Sequence, residues 1–209
     1  MVNRGPEAGD MSSAGLSGPT SLAAVSLHTA RLHIRELEPL DWPAVHRYAA
    51  DPRVVEYLWW GPNSEADTRA FIEKARAERI RSPRLDFDFA VTTQPSEAVI
   101  GGCSLHARGR AEYRTCEIGY CFVPETWRHG YATETVAALL DFAFATAGLH
   151  RVFGLVDPDN GASARLLERL GLRREGHMRR DTLIRGAWRD SLIYATLAEE
   201  WTGRRATRP

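Results

Sequence analysis

The chain has 209 residues, 44% of them hydrophobic, which suits one domain with a continuous core. Its 27 basic and 27 acidic residues cancel to a formal charge of zero, which excludes the overall positive field of a non-specific nucleic-acid binder. Three cysteines are too few for a disulfide framework, and no apolar run approaches the ~20 residues that span a bilayer, so the expectation is a cytoplasmic protein away from the membrane.

Residues 1–26 carry Gly, Ser, Pro and Ala with only short apolar stretches such as Leu22 to Val25, too short for a signal segment, and are expected to form a mobile tail. One domain is expected over 27–203, followed by a short basic tail at 204–209. Leu32 and Ile34 alternate with polar neighbours as on a half-buried strand. Asp41 reads as an N-cap with Pro43 in the first turn of a short helix that Asp51-Pro52 ends. Ser64 with Asp67 three residues on opens a second helix, carrying Phe71, Ile72 and Ala75, that runs to Ser82-Pro83. Phe87 to Thr92 and Val99 to Leu105 read as an antiparallel pair of strands.

Thr115 to Phe122 alternates again, with Cys116, Ile118, Tyr120 and Phe122 on one face and Glu117, Gly119 and Cys121 on the other. Tyr131 to Ala147 places Val136, Leu139, Leu140, Ala143 and Phe144 on one helical stripe, with Gly148 as its stop. Arg151 to Val156 is the next strand, parallel to its predecessor because a crossover helix intervenes. A helix over Ala162 to Leu170 ends at Gly171, and two last strands, Arg174 to Leu183 and Trp188 to Leu197, close the chain.

Trp127-Arg128-His129-Gly130-Tyr131-Ala132-Thr133 lies between a strand and an amphipathic helix. Helix-start N–H groups lack intrahelical partners and point outward with the positive end of the dipole, so such a place binds anions. Gly130 permits unusual backbone angles, Ala132 leaves the amides uncovered, and Arg128 and His129 add charge at the rim. Alone, a Gly-x-Ala turn reads as an ordinary strand-to-helix connection.

Two blocks decide between these readings. Gly130 and Ala132 match the Gln/Arg-x-x-Gly-x-Gly/Ala loop that holds the acetyl-CoA pyrophosphate in the GNAT superfamily, with Trp127 departing at the first position. Gly130-Tyr131-Ala132-Thr133-Glu134, and Asn160-Gly161-Ala162-Ser163 followed by Leu166 to Leu172 and Glu175-Gly176, resemble the branch of ribosomal-protein N-acetyltransferases (RimJ/RimL-like). Asp157 and Leu172 depart mildly from that branch, where Asn and Phe are common; Trp188-Arg189-Asp190 and Tyr194 match its closing segment.

The resemblance implies an α/β GNAT fold: a mixed, mostly antiparallel sheet of about seven strands, splayed at the centre, with helices on both faces. It implies direct acetyl transfer from acetyl-CoA to a primary amine, with no metal and no covalent enzyme intermediate. The acceptor is a protein N-terminus on the branch resemblance; an antibiotic or polyamine amine, or a CoA-binding module without turnover, are the alternatives. Family habit points to a homodimer.

For chemistry, the amine must be unprotonated, the carbonyl polarised and the leaving thiolate protonated. The resemblance carries a glutamate base to Glu117, which also reads as an ion-pair partner, with Asp181 as the alternative base or a surface charge. It assigns carbonyl polarisation to backbone N–H groups about Phe122 and Val123. Asn160 reads both as a pantetheine ligand and as a helix N-cap. Ser163 reads as proton donor to the thiolate or as a first-turn serine bonded to backbone. The tyrosine that many GNAT enzymes use one turn further on is Leu167 here, and Tyr194 reads as core. Cys116 and Cys121 face opposite sides of one strand and so share no ion.

Overall fold

The computed structural model describes residues 24–203. Apart from residues 24–26, the two expected tails lie outside the described residues. Eight strands form one sheet in the order β1 (Ser26–His28), β2 (Leu32–Glu36), β3 (Asp86–Thr93), β4 (Val99–Ala107), β5 (Thr115–Phe122), β6 (Arg151–Val156), β8 (Ala187–Leu197) and β7 (Arg173–Ile184). The strand beyond the expected seven is β1, whose three residues are too few for an alternation to register in sequence.

Five helices flank this sheet: α1 (Trp42–Ala49), α2 (Pro52–Val55), α3 (Glu65–Glu78), α4 (Tyr131–Asp141) and α5 (Gly161–Arg169). Phe87 and Phe89 on β3 meet Phe142, just past α4, in edge-on ring contacts, which seats α4 on one face. The opposite face takes α1, where Tyr48 approaches so closely that a Cβ on Gly102 would lie 2.7 Å from its hydroxyl. The stripe read from the sequence is the buried face of α4: Val136, Leu139 and Leu140 are fully buried, each stabilising by about 1.5–3 kcal/mol.

Every neighbouring pair is antiparallel except β5 and β6, and that pair is short. It runs only through Thr115↔Arg151, Cys116↔Val152 and Glu117↔Phe153. Beyond Glu117, β5 stays with β4 as far as Gly101↔Phe122, while β6 follows β8 to Val156↔Leu192. A wedge opens between them, and α5 packs beside it through Leu167, which lies 3.3 Å from where a Cβ on Gly154 would sit.

Local chemistry departs from the sequence reading at three helix ends. Asp41 does not cap α1 with its side chain; its carboxylate accepts from the Glu38 N–H at 2.8 Å and from Arg35 at 2.7 Å. Asp51-Pro52 ends α1 and also starts α2, with the Asp51 carboxylate accepting from the Arg53 N–H at 2.9 Å. Ser64 and Asp67 form the full reciprocal capping box of α3, yet that helix stops at Glu78 rather than at Ser82. After α4 the chain widens into a π turn over Phe142–Thr146 before Gly148, at φ 64°, turns it away.

Candidate active site

A cleft of ≈ 1590 Å³ follows the wedge, larger than the usual 300–1,000 Å³ of a small-molecule pocket. Residues 127–133 form one wall and are pinned from two sides. The Trp127 indole donates to the Phe122 carbonyl at 2.9 Å, so the residue that departs from the Gln/Arg pattern anchors the loop to the end of β5. Arg31, from the turn before β2, donates to the His129 carbonyl at 2.9 Å and to Glu134 at 2.8 Å, with its guanidinium 4.6 Å above the Tyr131 ring. Burial works against the charge of Glu134, yet hydrogen bonds from Thr29 and Arg31 hold its carboxyl below the usual range.

Arg128 and Gly130 both adopt left-handed backbone, at φ 65° and 80°. Such residues close together turn successive N–H groups to one side and make an anion nest, which the open first-turn amides of α4 extend. Arg128, Gly130, Tyr131, Ala132 and Thr133 all line the cleft. His129 is exposed and does not line the cleft wall; its ring bonds the Trp127 carbonyl at 2.8 Å and stacks on Tyr131. Arg165 and Arg169, one helical turn apart on α5, also face the cleft, and neither has an ion-pair partner among the described residues.

At the wedge the Val123 N–H donates to the Ile100 carbonyl at 2.9 Å. Val123 therefore continues the β4 ladder, where its N–H, one of the two expected to polarise the carbonyl, is already engaged. Alternation in the antiparallel pair turns the N–H groups of Tyr120 and Phe122 the other way, into the wedge. Asn160 caps α5 by accepting from the Ser163 N–H at 3.1 Å, and both residues line the cleft. Across the wedge the Ser163 hydroxyl meets the Tyr120 hydroxyl at 2.6 Å. Desolvation pushes the Tyr120 phenol up to about 12 in spite of the Ser163 hydrogen bond.

Glu56, Tyr57 and Leu58, just after α2, line the end of the cleft. Arg185 holds their backbone from the β7–β8 turn, donating to the carbonyls of Val55, Glu56 and Gly61 at 2.8, 2.6 and 3.1 Å. Glu56 has no ion-pair partner among the described residues. Trp60 packs on the core, whereas Trp59 is 72% exposed.

Neither expected base lines this cleft. Glu117 sits where β5 and β6 are still paired, on the face opposite Tyr120, and accepts from Arg108 at 2.8 Å. Asp181 is exposed in the irregular stretch of β7 between Met178 and Thr182, bonded by the Thr182 hydroxyl at 3.3 Å. Tyr194 is core, its hydroxyl donating to Glu168 at 2.8 Å. A smaller hollow of ≈ 450 Å³ at Tyr113, Arg114 and His150, at the far end of β5, has neither the amide nest nor the hydroxyl pair. The cysteines are free, and no group of three or more potential ligands among the described residues is placed to hold a metal ion. No helix among them is long and apolar enough to cross a membrane.

Sequence reading missed Tyr120, Arg31, Glu56 and Arg185. Tyr120 carried a signal only as a polar-tipped aromatic beside Gly119 in mid-strand; the other three gain their roles from partners roughly a hundred residues away.

Comparison with known proteins agrees with this geometry. Residues 31–173 match the acetyltransferase (GNAT) domain. The uncharacterized N-acetyltransferase YnaD of Bacillus subtilis (strain 168) is 34% identical over 173 residues, covering 83% of this chain and 97% of that protein. The ribosomal protein uS5-alanine N-acetyltransferase of Escherichia coli (strain K12) is 26% identical over 186 residues, covering 88% and 96%. A crystal structure of a GNAT-family acetyltransferase from Bacillus anthracis superposes with a TM-score of 0.74 at 33% identity, covering 84% of this chain and 100% of that one. With that fold, a central wedge and an amide nest at a helix start, the chain belongs to the GNAT family of N-acetyltransferases, whose acetyl donor is acetyl-CoA.

Proposed function

We propose that this enzyme acetylates the α-amine of a protein or peptide N-terminus. The observation that carries this is the exposed apolar rim at the acceptor end of the cleft. Trp59 and the cross-strand pair Leu183 and Trp188 are 72%, 51% and 60% exposed, and they flank the contact that Arg185 makes with the loop after α2. A polypeptide whose first residue enters the cleft has further residues to lay on such a rim, and a small amine has none. The similarity to a ribosomal-protein alanine N-acetyltransferase supports the same acceptor class.

In this reading the nest at Arg128 and Gly130 with the α4 amides takes the pyrophosphate, and Asn160 bonds the pantetheine. The Phe122 N–H, facing the wedge, polarises the thioester carbonyl. Ser163 stands at the departing sulfur. Glu56 takes the proton of the attacking amine, directly or through water, in place of Glu117 or Asp181, because it is a carboxylate on the acceptor wall that has no ion-pair partner among the described residues and is bonded by the Tyr57 hydroxyl. Three free cysteines suit a reducing, cytoplasmic setting.

The test is incubation with acetyl-CoA and a panel of peptides bearing free α-amines, beside polyamines and aminoglycosides, with thiol release as readout. Peptide acetylation is the expected result. Acetylation of small amines alone overturns the acceptor assignment, and acetyl-CoA binding without turnover on any amine makes the chain a binding module.

A further inference from the structure

We propose that the arginine-rich edge of β7 selects acceptors that carry acidic residues about five to eight positions after the acetylated N-terminus. The inference rests on the acceptor being a polypeptide and goes beyond it by stating what its following residues are.

Charge is unevenly placed along the chain. Residues 165–189 hold eight arginines and three carboxylates, and the chain as a whole has 27 basic and 27 acidic residues, which leaves 19 basic against 24 acidic elsewhere. Several of the eight are engaged. Arg173 is paired with Glu200 at 3.0 Å, Arg189 with Asp157 and Asp159, and Arg185 donates to the carbonyls of the loop after α2. Of the carboxylates on this stretch, Glu175 is taken by Arg151 at 2.9 Å, Glu168 by the Tyr194 hydroxyl at 2.8 Å and Asp181 by the Thr182 hydroxyl at 3.3 Å. Arg165 and Arg169 face the cleft. Arg174, Arg179 and Arg180 are left, all exposed and without a salt bridge among the described residues.

The backbone of β7 presents two of these together. Its pairing with β8 is interrupted between Met178 and Thr182, and Arg180 takes left-handed backbone at φ 51°. The bulge lifts the side chains of Arg179, Arg180 and Asp181 out of the ladder and into solvent. Asp190 on β8 fixes this shape, one carboxylate oxygen accepting from the Arg180 N–H at 2.9 Å and the other from His177 at 2.6 Å. The charge of Arg179 also reaches Asp190, but both of those oxygens are already engaged.

Position ties this edge to the acceptor. β7 is last in the sheet order, so one of its sides pairs with no strand among the described residues. The strand ends at the turn whose Arg185 holds the loop after α2, and its Leu183 belongs to the exposed rim. Arg180 precedes Arg185 by five residues, roughly 17 Å at ~3.3 Å per strand residue. An extended polypeptide that has crossed the rim therefore meets Arg180 and Arg179 about five to eight residues after its first one, and Arg174 further on. Apolar contact at the rim discriminates little between sequences, whereas unpaired guanidiniums draw in carboxylates and reject ammonium groups. A nucleic-acid backbone fits this edge less well. It carries its charge over many units, and the acidic excess outside 165–189 repels all but the few that meet β7.

The experiment offers the full chain acetyl-CoA and three peptides that share their opening residues and carry Asp, Ser or Lys at about positions five to eight. The Asp peptide is expected to show a KM about fivefold below that of the Ser peptide with kcat within about twofold, and the Lys peptide a KM above both, because the contact is made equally before and during transfer. The advantage should shrink between about 50 mM and 300 mM salt. Arg179→Gln with Arg180→Gln should bring the Asp and Ser peptides within about twofold of each other, and Arg179→Lys with Arg180→Lys should keep most of the difference, since charge is what is read. A melting curve and acetyl-CoA calorimetry show that each variant is folded. Equal use of the three peptides overturns the proposal, as does an Asp preference that survives the Gln variant. A single-stranded RNA oligonucleotide that competes more strongly than the acetylated Asp peptide overturns it too, and makes the edge a phosphate-backbone site. Acetylation of polyamines and of no peptide overturns the N-terminal acceptor and this inference with it, a result distinct from peptides that are all acetylated alike.

Discussion

Arg185 donates to the main-chain carbonyl of Glu56 at 2.6 Å, across a sequence separation of 129 residues. One guanidinium at the β7–β8 turn thereby fixes the loop that lines the end of the cleft proposed to take the acceptor. Arg185→Ala should raise the KM for the amine by about tenfold and leave the acetyl-CoA Kd within about twofold, with a stability loss of about 1–2 kcal/mol. Arg185→Lys should restore little of this, because an ammonium cannot reach several carbonyls in a plane as a guanidinium fork does. Steady-state kinetics with both substrates varied, together with urea unfolding, check it; an unchanged amine KM would show that the loop holds itself.

The carboxylate assignment separates by two variants. Glu56→Gln should lower kcat/KM for the amine by about a hundredfold at neutral pH, within the range usual for a lost general base. Glu117→Gln breaks a half-exposed pair with Arg108 and should cost less than about 1 kcal/mol of stability with turnover near wild type. Reversed outcomes would return the base to β5.

Gly130 sits at φ 80° at the mouth of α4, and a Cβ there would lie 3.4 Å from the Arg31 guanidinium. Gly130→Ala is expected to cost about 1–2 kcal/mol through left-handed strain alone. It should also weaken acetyl-CoA binding by about tenfold as the nest reshapes, measurable by calorimetry beside a melting curve.

Arg165 and Arg169 present two guanidiniums to the cleft from α5, while Glu168 between them is engaged by the Tyr194 hydroxyl. If they meet the ribose phosphate of the cofactor, CoA should bind about tenfold tighter than 3′-dephospho-CoA, and the double variant to Ala should bind the two equally with a shallower salt dependence.

Acid should release the cofactor loop through Glu134. Its folded-state pKa is depressed, so its contribution is fully present above the unfolded value of ~4.3 and is lost as pH falls through the folded one. Acetyl-CoA affinity should therefore hold at about pH 5 and decline below about pH 4. Glu134→Gln should reproduce the acid behaviour at neutral pH, and calorimetry of that variant is the direct check.

Much of the frame was legible because it obeys local rules. Alternation at Leu32 and Ile34, the stripe from Val136 to Ala143 and the Gly130 turn each state their structure within a few residues. The turn of residues 127–133 at the start of α4 was legible for the same reason, since an amide nest is made by residues close in sequence. The acceptor end was not. Glu56 became a wall residue only when Arg185 folded back on it, and Tyr120 acquired its partner when α5 crossed the wedge. Glu117 was legible both as the base the resemblance carries and as an ion-pair partner, and the partner it has in the structure is Arg108, next to it in space across the hairpin.

The three-residue seam between β5 and β6 makes the sheet two leaves joined at a spine. Each leaf shows main-chain donors and acceptors to the gap, and an amide-bearing arm slipped between them would stitch the leaves as an additional strand does. The cosubstrate then serves as architecture as well as reagent: amides along Ile118–Phe122 should exchange with solvent more slowly once it is bound, and the enzyme should stiffen toward its working shape only when loaded.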